Sequence, residues 1–571
     1  MSVFSTCLPI LAESDVSVET YDRAGSRVHS LDGQRFNDLI VFYRQQLRDG
    51  PVVGRKVIGL LFRSEESIEL LVISLAGMAE GYTVVPFYPN WSAETQLFYV
   101  ERYGIRTLAV ADGFAGRAEE WLYAFDRVLH VRLDVELGDG VKSAPPSAVF
   151  PDNLPQDHPC AWIFTSGTSG NLAKCTEISL ANLEAAVENI RSLDFLQEGM
   201  VVHSPLSASH IFAFVVIMGF LTLKPRRVIF SDVQYLARLP EDRIGKIDAM
   251  ILVPIVLDRL RASFYEKLTS QTEGSKTHLP LAVRKALKHV TRLAEDTVIR
   301  LEEGRRWAGI GLPALYLART LFGKRLRRFL GSPKFVVIGG AKPNLNSMAL
   351  LEVMGVRCLQ GWGMTETTGP LAVCDPRDRF SGAFGTCGGL FPRTAGSIEE
   401  GELVVEGPQI ARGYVEPDGT VVPFNGRKKT GDTAIFDVRG RLKVLGKASD
   451  RITTSNGLNY NPLPLEEEIK ALDLNSRNLF DEVVVIGDGK PRLGAVFFLR
   501  EISGAEDAEV RAYVKRLLAD FGASRRIDEK IGPWAISESS LPDVGGLGPS
   551  GKLVRRRIEE QFCSIYGEVL A

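Results

Sequence analysis

Short apolar runs alternate along most of the chain with longer stretches whose apolar positions recur at helical spacing, and that alternation sets the first expectation. The run KVIGLLF from Lys56 reads as a buried strand. The SEESIELLVISLAGMAEG after it opens on Ser64, carries acidic residues in its first turn and meets Gly81 at its end, which are helix start and stop signals. TVVPFYP reads as the next strand, and the stretch from Arg106 through TLAVAD as a third. Strand–helix–strand order predicts parallel βαβ units with both sheet faces covered.

The pattern changes twice. From about 260 to 328 it is long, basic and helical, as in RKALKHVTRLAEDTVIRLEEGRR and ALYLARTLFGKRLRRF. This reads either as an insertion with a solvated basic face or as a surface for an anionic membrane or an acidic partner. Strand character returns with KFVVIGG at Lys334. From Gly401 short strands and turns dominate, and beyond Asp450 helices mix with strands in what reads as a separate small α+β unit.

Composition narrows the class. A chain of 571 residues exceeds one ordinary core and predicts two or more domains. A net charge of -2 supplies no global basic field, so nucleic-acid binding is a poor reading. The 7 cysteines are scattered without a CxxC pair, which fits reduced thiols in the cytoplasm. The N-terminus lacks a basic region before its brief apolar stretch, so no signal peptide is expected. The most apolar run, Ile211 to Leu223, is shorter than the roughly 20 residues that span a bilayer and reads as a buried core element.

The chemistry-bearing segment is AWIFTSGTSGNLAK from Ala161. An apolar strand runs into Thr165, Ser166, Gly167, Thr168, Ser169 and Gly170, with Lys174 beyond. Glycines let backbone approach an anion, hydroxyls donate to phosphate oxygens, and the lysine adds charge. Walker spacing is absent, and the loop alone also reads as a plain Ser/Thr/Gly turn. Near the C-terminus Gly546, Gly548 and Gly551 satisfy a dinucleotide fingerprint, but Pro549 interrupts it and too little chain follows for a βαβ unit, so that reading is rejected.

The phosphate loop does not stand alone. SLAGMAEGYTVVP, HSPLSASHIF, IGGAKP, QGWGMTETTG, GELVVEGPQIARGY, KTGD and PSGKLVRR occur in order around it. With them the chain resembles, over nearly its whole length, the adenylate-forming (AMP-binding) superfamily of acyl-CoA and aryl-CoA ligases, peptide-synthetase adenylation domains and beetle luciferases. The helical stretch before IGGAKP resembles the long-chain fatty acyl-CoA synthetase branch. The resemblance implies an α/β large N-terminal domain over 1–445, made of parallel βαβ subdomains and a short β-rich subdomain. A hinge at 446–450 and a small mobile α+β C-terminal domain over 451–571 would follow.

It also implies roles. Glu366 and Thr165 would hold Mg²⁺, and Thr365 would bond the α-phosphate. Trp362 would offer an aromatic face to the adenine with Gly363 also in the nucleotide site, and Gly339, Gly340 and Ala341 would form the turn against which the adenine lies. Asp432 would take the ribose hydroxyls, and Lys447, at the hinge, would belong to the nucleotide site. Lys552 would be the mobile catalytic lysine, a flexible point charge suited to arriving and leaving. His210 would border the acyl carboxylate, and Gly457 would let the pantetheine thiol pass. The sequence departs from the family pattern at Leu172-Ala173, at Cys175, at Lys447 where arginine is usual, at Ser449 and at Leu458.

The function so implied is ATP-dependent activation of a medium- or long-chain fatty acid as acyl-AMP, then transfer to coenzyme A. Two alternatives stay open. One is loading of an acyl-carrier-protein phosphopantetheine; the other is a non-catalytic nucleotide-binding relative, favoured by the altered loop and opposed by the retained Glu366, Asp432 and Lys552.

Overall fold

The computed structural model describes residues 3–8, 11, 15–22, 24–50, 55–138, 141, 149–151, 153–165, 172–232, 236, 241–269, 281–302, 311–378, 381–474, 476–477, 479–499, 508–523, 525–546 and 553–566. The chain opens with β1 (Ser17–Tyr21) and β2 (Arg27–Asp32), then lays down β3 (Val57–Leu61), β4 (Thr83–Pro86), β5 (Thr107–Val110), β6 (Arg127–His130), β7 (Pro159–Phe164) and β8 (Cys175–Ser179). After these come β9 (Val201–Ser204), β10 (Arg227–Phe230), β11 (Ala249–Leu252), β12 (Phe335–Ile338), β13 (Arg357–Met364) and β14 (Gly369–Val373). The β-rich part adds β15 (Ala395–Glu399), β16 (Glu402–Glu406), β17 (Gly413–Val415), β18 (Val421–Pro423), β19 (Arg427–Phe436) and β20 (Leu442–Lys447).

Two eight-stranded sheets carry the large part, in the orders β14-β13-β12-β11-β9-β10-β1-β2 and β18-β17-β8-β7-β4-β3-β5-β6. Their centres are parallel, as the alternation predicted, with Phe335 opposite Arg357 in one and Val57 opposite Thr83 in the other. Their flanks are antiparallel: β1 with β2, β13 with β14, and β7 with β8. The first strands do not join their sequence neighbours. Ser17 in β1 pairs in parallel with Arg227 in β10, so the N-terminus completes the later sheet.

The helices Ser67–Ala79 and Ile211–Leu221 explain how the sheets stack. Every residue of the first is buried, and every residue of the second except Phe212. A helix apolar all round belongs between layers. One hydrophobic cluster accordingly joins Ile58, Leu60 and Val84 of one sheet to Val18, Val202, Ile251 and Leu359 of the other through these helices. The run Ile211–Leu223 is thus core, as expected.

Helices Pro254–Thr269, Leu281–Glu302, Leu312–Ala318 and Lys324–Phe329 fill the basic region. The first two are pinned by a buried ion pair, Arg261 to Glu295 at 2.8 Å, to which the Tyr265 hydroxyl also donates at 2.9 Å. Arg357, the first residue of β13, pairs with Glu302 at 2.7 Å and Glu352 at 2.9 Å. Removing one partner of a buried pair of this kind costs about 3–5 kcal/mol, so these contacts hold β13 in place.

The C-terminal part has its own three-stranded sheet (Phe480–Ile486, Gly494–Leu499 and Trp534–Ser537) and core, with Phe480, Phe497 and Leu517 fully or almost fully buried. It touches the large part through Lys342 and Glu467 at 2.6 Å, and through the side-chain amide of Asn461, which donates to the Thr433 hydroxyl at 2.9 Å.

Candidate functional site

The loop from Thr165 to Lys174 closes a hairpin, β7 to β8, rather than a strand-to-helix turn. At its mouth the Thr165 N–H donates to the Lys174 carbonyl at 2.8 Å, and the Lys174 N–H donates to Thr165 Oγ1 at 3.1 Å. Ser166, Gly167, Thr168, Ser169 and Gly170 lie outside the described residues. The Tyr88 hydroxyl donates to the Phe164 carbonyl at 2.6 Å just before the mouth. Burial, reinforced by the charge of Glu366, pushes that phenol's pKa up, so it remains a donor.

Strand β13 and its turn bring the next group together. Gly363 is required there, because a Cβ would stand 2.1 Å from the Gly369 carbonyl oxygen. The turn continues through the 3-10 segment Thr365–Thr367 into Thr368, which is left-handed at φ 48°, and returns as β14. The Thr365 carbonyl accepts from Thr368 at 3.0 Å, and the Thr365 hydroxyl has no partner among the described residues. Gln409 clamps the turn by donating to the carbonyls of Thr367 at 2.9 Å and Pro370 at 2.6 Å.

Glu366 is buried, with its carbonyl accepting from the Ala411 N–H at 3.0 Å and its Oε1 accepting from the Tyr414 hydroxyl at 2.6 Å. Two ammonium groups converge on that tyrosine. Lys174 Nζ and Lys428 Nζ each lie 4.6 Å from its ring centroid, and Lys428 also donates to its hydroxyl at 3.2 Å. Desolvation draws the Lys428 pKa down; Glu366 opposes this and Lys174 adds to it. Lys174 and Glu366 thus meet through Tyr414, with Thr165 bonded to Lys174 at the loop mouth, while Tyr414, Lys428 and Gln409 were not foreseen.

Trp362 is 8% exposed and packs among Leu371, Leu403, Ile410 and Leu442. Its indole N–H donates to Asp432 Oδ2 at 2.9 Å, so it orients that carboxylate. The other oxygen, Oδ1, meets Lys447 Nζ at 2.6 Å, because the β19–β20 register sets Asp432 directly across from Lys447. Asp432 thus stands fixed at both oxygens.

Gly339, Gly340 and Ala341 form the turn after β12. A Cβ on Gly339 would come within 2.9 Å of the Phe212 ring, and Gly340 is left-handed at φ 88°. Phe212 is the member of its helix that faces this turn. His210 caps the same helix and stacks on Tyr88 with ring centroids 4.5 Å apart. His210 itself is exposed, and desolvation by the surrounding protein draws its pKa down. Gly457 lies in an exposed turn at φ 79° with open space around its Cβ direction, away from these groups. Lys552 lies outside the described residues.

The donor set suits a hard cation that keeps most of its shell for phosphate and water. Glu366 Oε2 has no hydrogen-bond partner among the described residues, and the Thr165 oxygen is the second candidate donor. No group of three or more His, Cys, Asp or Glu among the described residues forms an all-protein metal cage. No helix among them is long and apolar enough to cross a membrane.

Comparison with known proteins bears on this arrangement. The AMP-binding enzyme family profile matches residues 53–415, and the profile of the AMP-binding enzyme C-terminal domain matches 449–565. Among curated proteins, the long-chain-fatty-acid–CoA ligase FadD15 of Mycobacterium bovis is 25% identical over 543 residues, covering 87% of this chain and 85% of its own. The chloroplastic long-chain-fatty-acid–[acyl-carrier-protein] ligase AEE15 of Arabidopsis thaliana is 25% identical over 458 residues, covering 72% of this chain and 61% of its own. Among solved structures, ATP-bound MatB from Rhodopseudomonas palustris superposes with a TM-score of 0.66 at 17% identity, covering 99% of this chain and 100% of that one.

Proposed function

The chain belongs to the AMP-binding enzyme family, and from that premise we propose that it is an AMP-forming acid–thiol ligase. It activates a carboxylic acid with ATP, releases pyrophosphate and passes the acyl group to a thiol. The observation that carries this reading is that β13 and its turn bear both anchors at once. Trp362 holds Asp432 at 2.9 Å, and Glu366, in the turn, shares Tyr414 with Lys174 of the phosphate loop.

In this reading the ribose hydroxyls donate to Asp432, which Trp362 and Lys447 keep fixed. The triphosphate then runs toward Thr165, Lys174 and Glu366. Glu366 and Thr165 would hold Mg²⁺, which would supply Lewis-acid charge at the phosphates. A carboxylate attacking the α-phosphorus approaches from the side of His210, which packs on Tyr88. His210 borders the acid's carboxylate and orients it by hydrogen bonding. Thr365 bonds the α-phosphate with its free hydroxyl, Gly340 and Ala341 support the adenine together with Gly363, and Lys552 arrives from the small domain to offset charge as pyrophosphate leaves. Gly457 serves the thiol in the second half-reaction.

The preferred acid is a medium- or long-chain fatty acid and the preferred thiol is coenzyme A, on the similarity to the mycobacterial ligase. A carrier-protein phosphopantetheine is the second reading, supported by the similarity to the Arabidopsis ligase and by the basic helices Leu281–Glu302 and Lys324–Phe329. Exposed Leu312, Tyr316, Leu317 and Leu321 beside Lys324 suit peripheral contact with an anionic bilayer. We place the protein in the cytoplasm. Fatty-acid-dependent exchange of labelled pyrophosphate into ATP tests the first step, and offering coenzyme A or a holo-carrier protein tests the acceptor. Protein that supports no exchange with any acid of a broad panel refutes the ligase reading.

A further inference from the structure

The middle residue of the basic run Arg427–Lys429 behaves unlike its neighbours. Arg427 pairs with Glu399 at 2.6 Å and Glu406 at 2.9 Å, and Lys429 approaches Glu400 at 3.5 Å and Glu402 at 3.4 Å, both cations being exposed. Lys428 turns inward with Thr430 and Asp432 and forms no ion pair among the described residues. Its polar contact is the Tyr414 hydroxyl, which takes one of the three ammonium protons.

We propose that Lys428 is a second phosphate-binding cation, which with Lys174 grips the β,γ end of the triphosphate and the pyrophosphate that departs from it. This rests on the reading that the nucleotide's phosphates lie at the Thr165–Lys174 loop. Lys428 precedes Asp432 by four positions in β19, a distance of at most about 14 Å at the rise of an extended strand. A nucleotide whose ribose meets Asp432 therefore has room to run its phosphates back along the same strand to Lys428.

The electrostatics favour an anion there. Two ammonium groups stand 4.6 Å from the centre of one ring and repel each other, and Glu366 is already engaged by Tyr414 at Oε1. The aromatic contacts of Lys428, with Tyr414 and with Phe424 at 4.1 Å, stabilise one cation and leave two donors unused. A lysine retained only for packing would be replaceable by methionine without consequence for ligands. A lysine that binds phosphate would not.

The test is direct binding of MgATP, inorganic pyrophosphate and AMP to the full chain and to its Lys428→Met and Lys428→Arg variants by calorimetry. Loss of one charge-assisted contact predicts a roughly ten- to hundredfold weaker grip on ATP and pyrophosphate in Lys428→Met, with AMP within about twofold and Lys428→Arg close to the parent. If the methionine variant does not fold, Lys428→Gln gives the same comparison. Equal loss of all three ligands, or loss of none, overturns the proposal. Parent protein that binds neither ATP nor pyrophosphate instead sinks the functional reading beneath it, so the two failures are told apart.

Discussion

The bond from Trp362 to Asp432 offers a quantitative check on how the site is built. Trp362→Phe keeps an aromatic ring in the cluster around Leu371 and Leu442 but removes the N–H that lies 2.9 Å from Oδ2. A hydrogen bond to a charged group contributes about 1.5–3 kcal/mol, and the smaller ring adds a packing loss of about 1–2 kcal/mol. Denaturant unfolding should therefore show a loss of about 2.5–5 kcal/mol for the single variant. Stability alone does not separate the two parts. A double-mutant cycle with Asp432→Ala does, because the ring-size cost recurs with or without the carboxylate and cancels. The expected coupling is about 1.5–3 kcal/mol. ATP affinity should fall about tenfold in Trp362→Phe, since an unanchored Asp432 keeps its Lys447 partner but loses its orientation. Additivity within about 0.5 kcal/mol, or unchanged ATP affinity in a destabilised variant, would refute the reasoning and leave Trp362 as packing.

Three further outcomes are expected. Glu366→Gln should raise the Mg²⁺ concentration needed for half-maximal pyrophosphate exchange, and an unchanged metal titration removes Glu366 from the ligand set. Lys552→Ala should abolish most adenylation while sparing thiol transfer from supplied acyl-AMP, whereas equal loss in both steps contradicts a role confined to the first. Burial holds His203 at a pKa of about 3 against 6.5 for an ordinary imidazole, so the folded state takes up fewer protons than the unfolded chain between those values. Stability is then full above pH 6.5 and declines on acidification, by about 2 kcal/mol at pH 5 from this group. The melting temperature of His203→Gln should fall less steeply from pH 7 to pH 5 than that of the parent; parallel slopes exclude His203 as the source.

Much of the site was legible because its residues sit in short ordered motifs. Glu366 and Trp362 share one segment, and Asp432 lies in the short KTGD motif, whereas its contact with Lys447 rests on the β19–β20 register. What escaped depended on pairing between distant strands. The hairpin β7–β8 is invisible to local pattern because its second strand, Cys175–Ser179, is brief and buried throughout. Tyr414 reaches Glu366 only because β17 pairs with β8 beside the loop. Lys428 was hidden in a basic run that reads as a solvated face, although the alternation across Arg427, Lys428 and Lys429 marks the middle residue as the inward one.

The partnership of β1 with β10 has a consequence for synthesis. A ribosome adding roughly 5–20 residues per second finishes Ser17 about ten to forty seconds before Arg227. Throughout that interval the opening strand has no permanent neighbour on one side, and its apolar Val18 must be sheltered provisionally. The nascent protein therefore has a window in which β1 waits for a neighbour that its own later sequence has yet to supply.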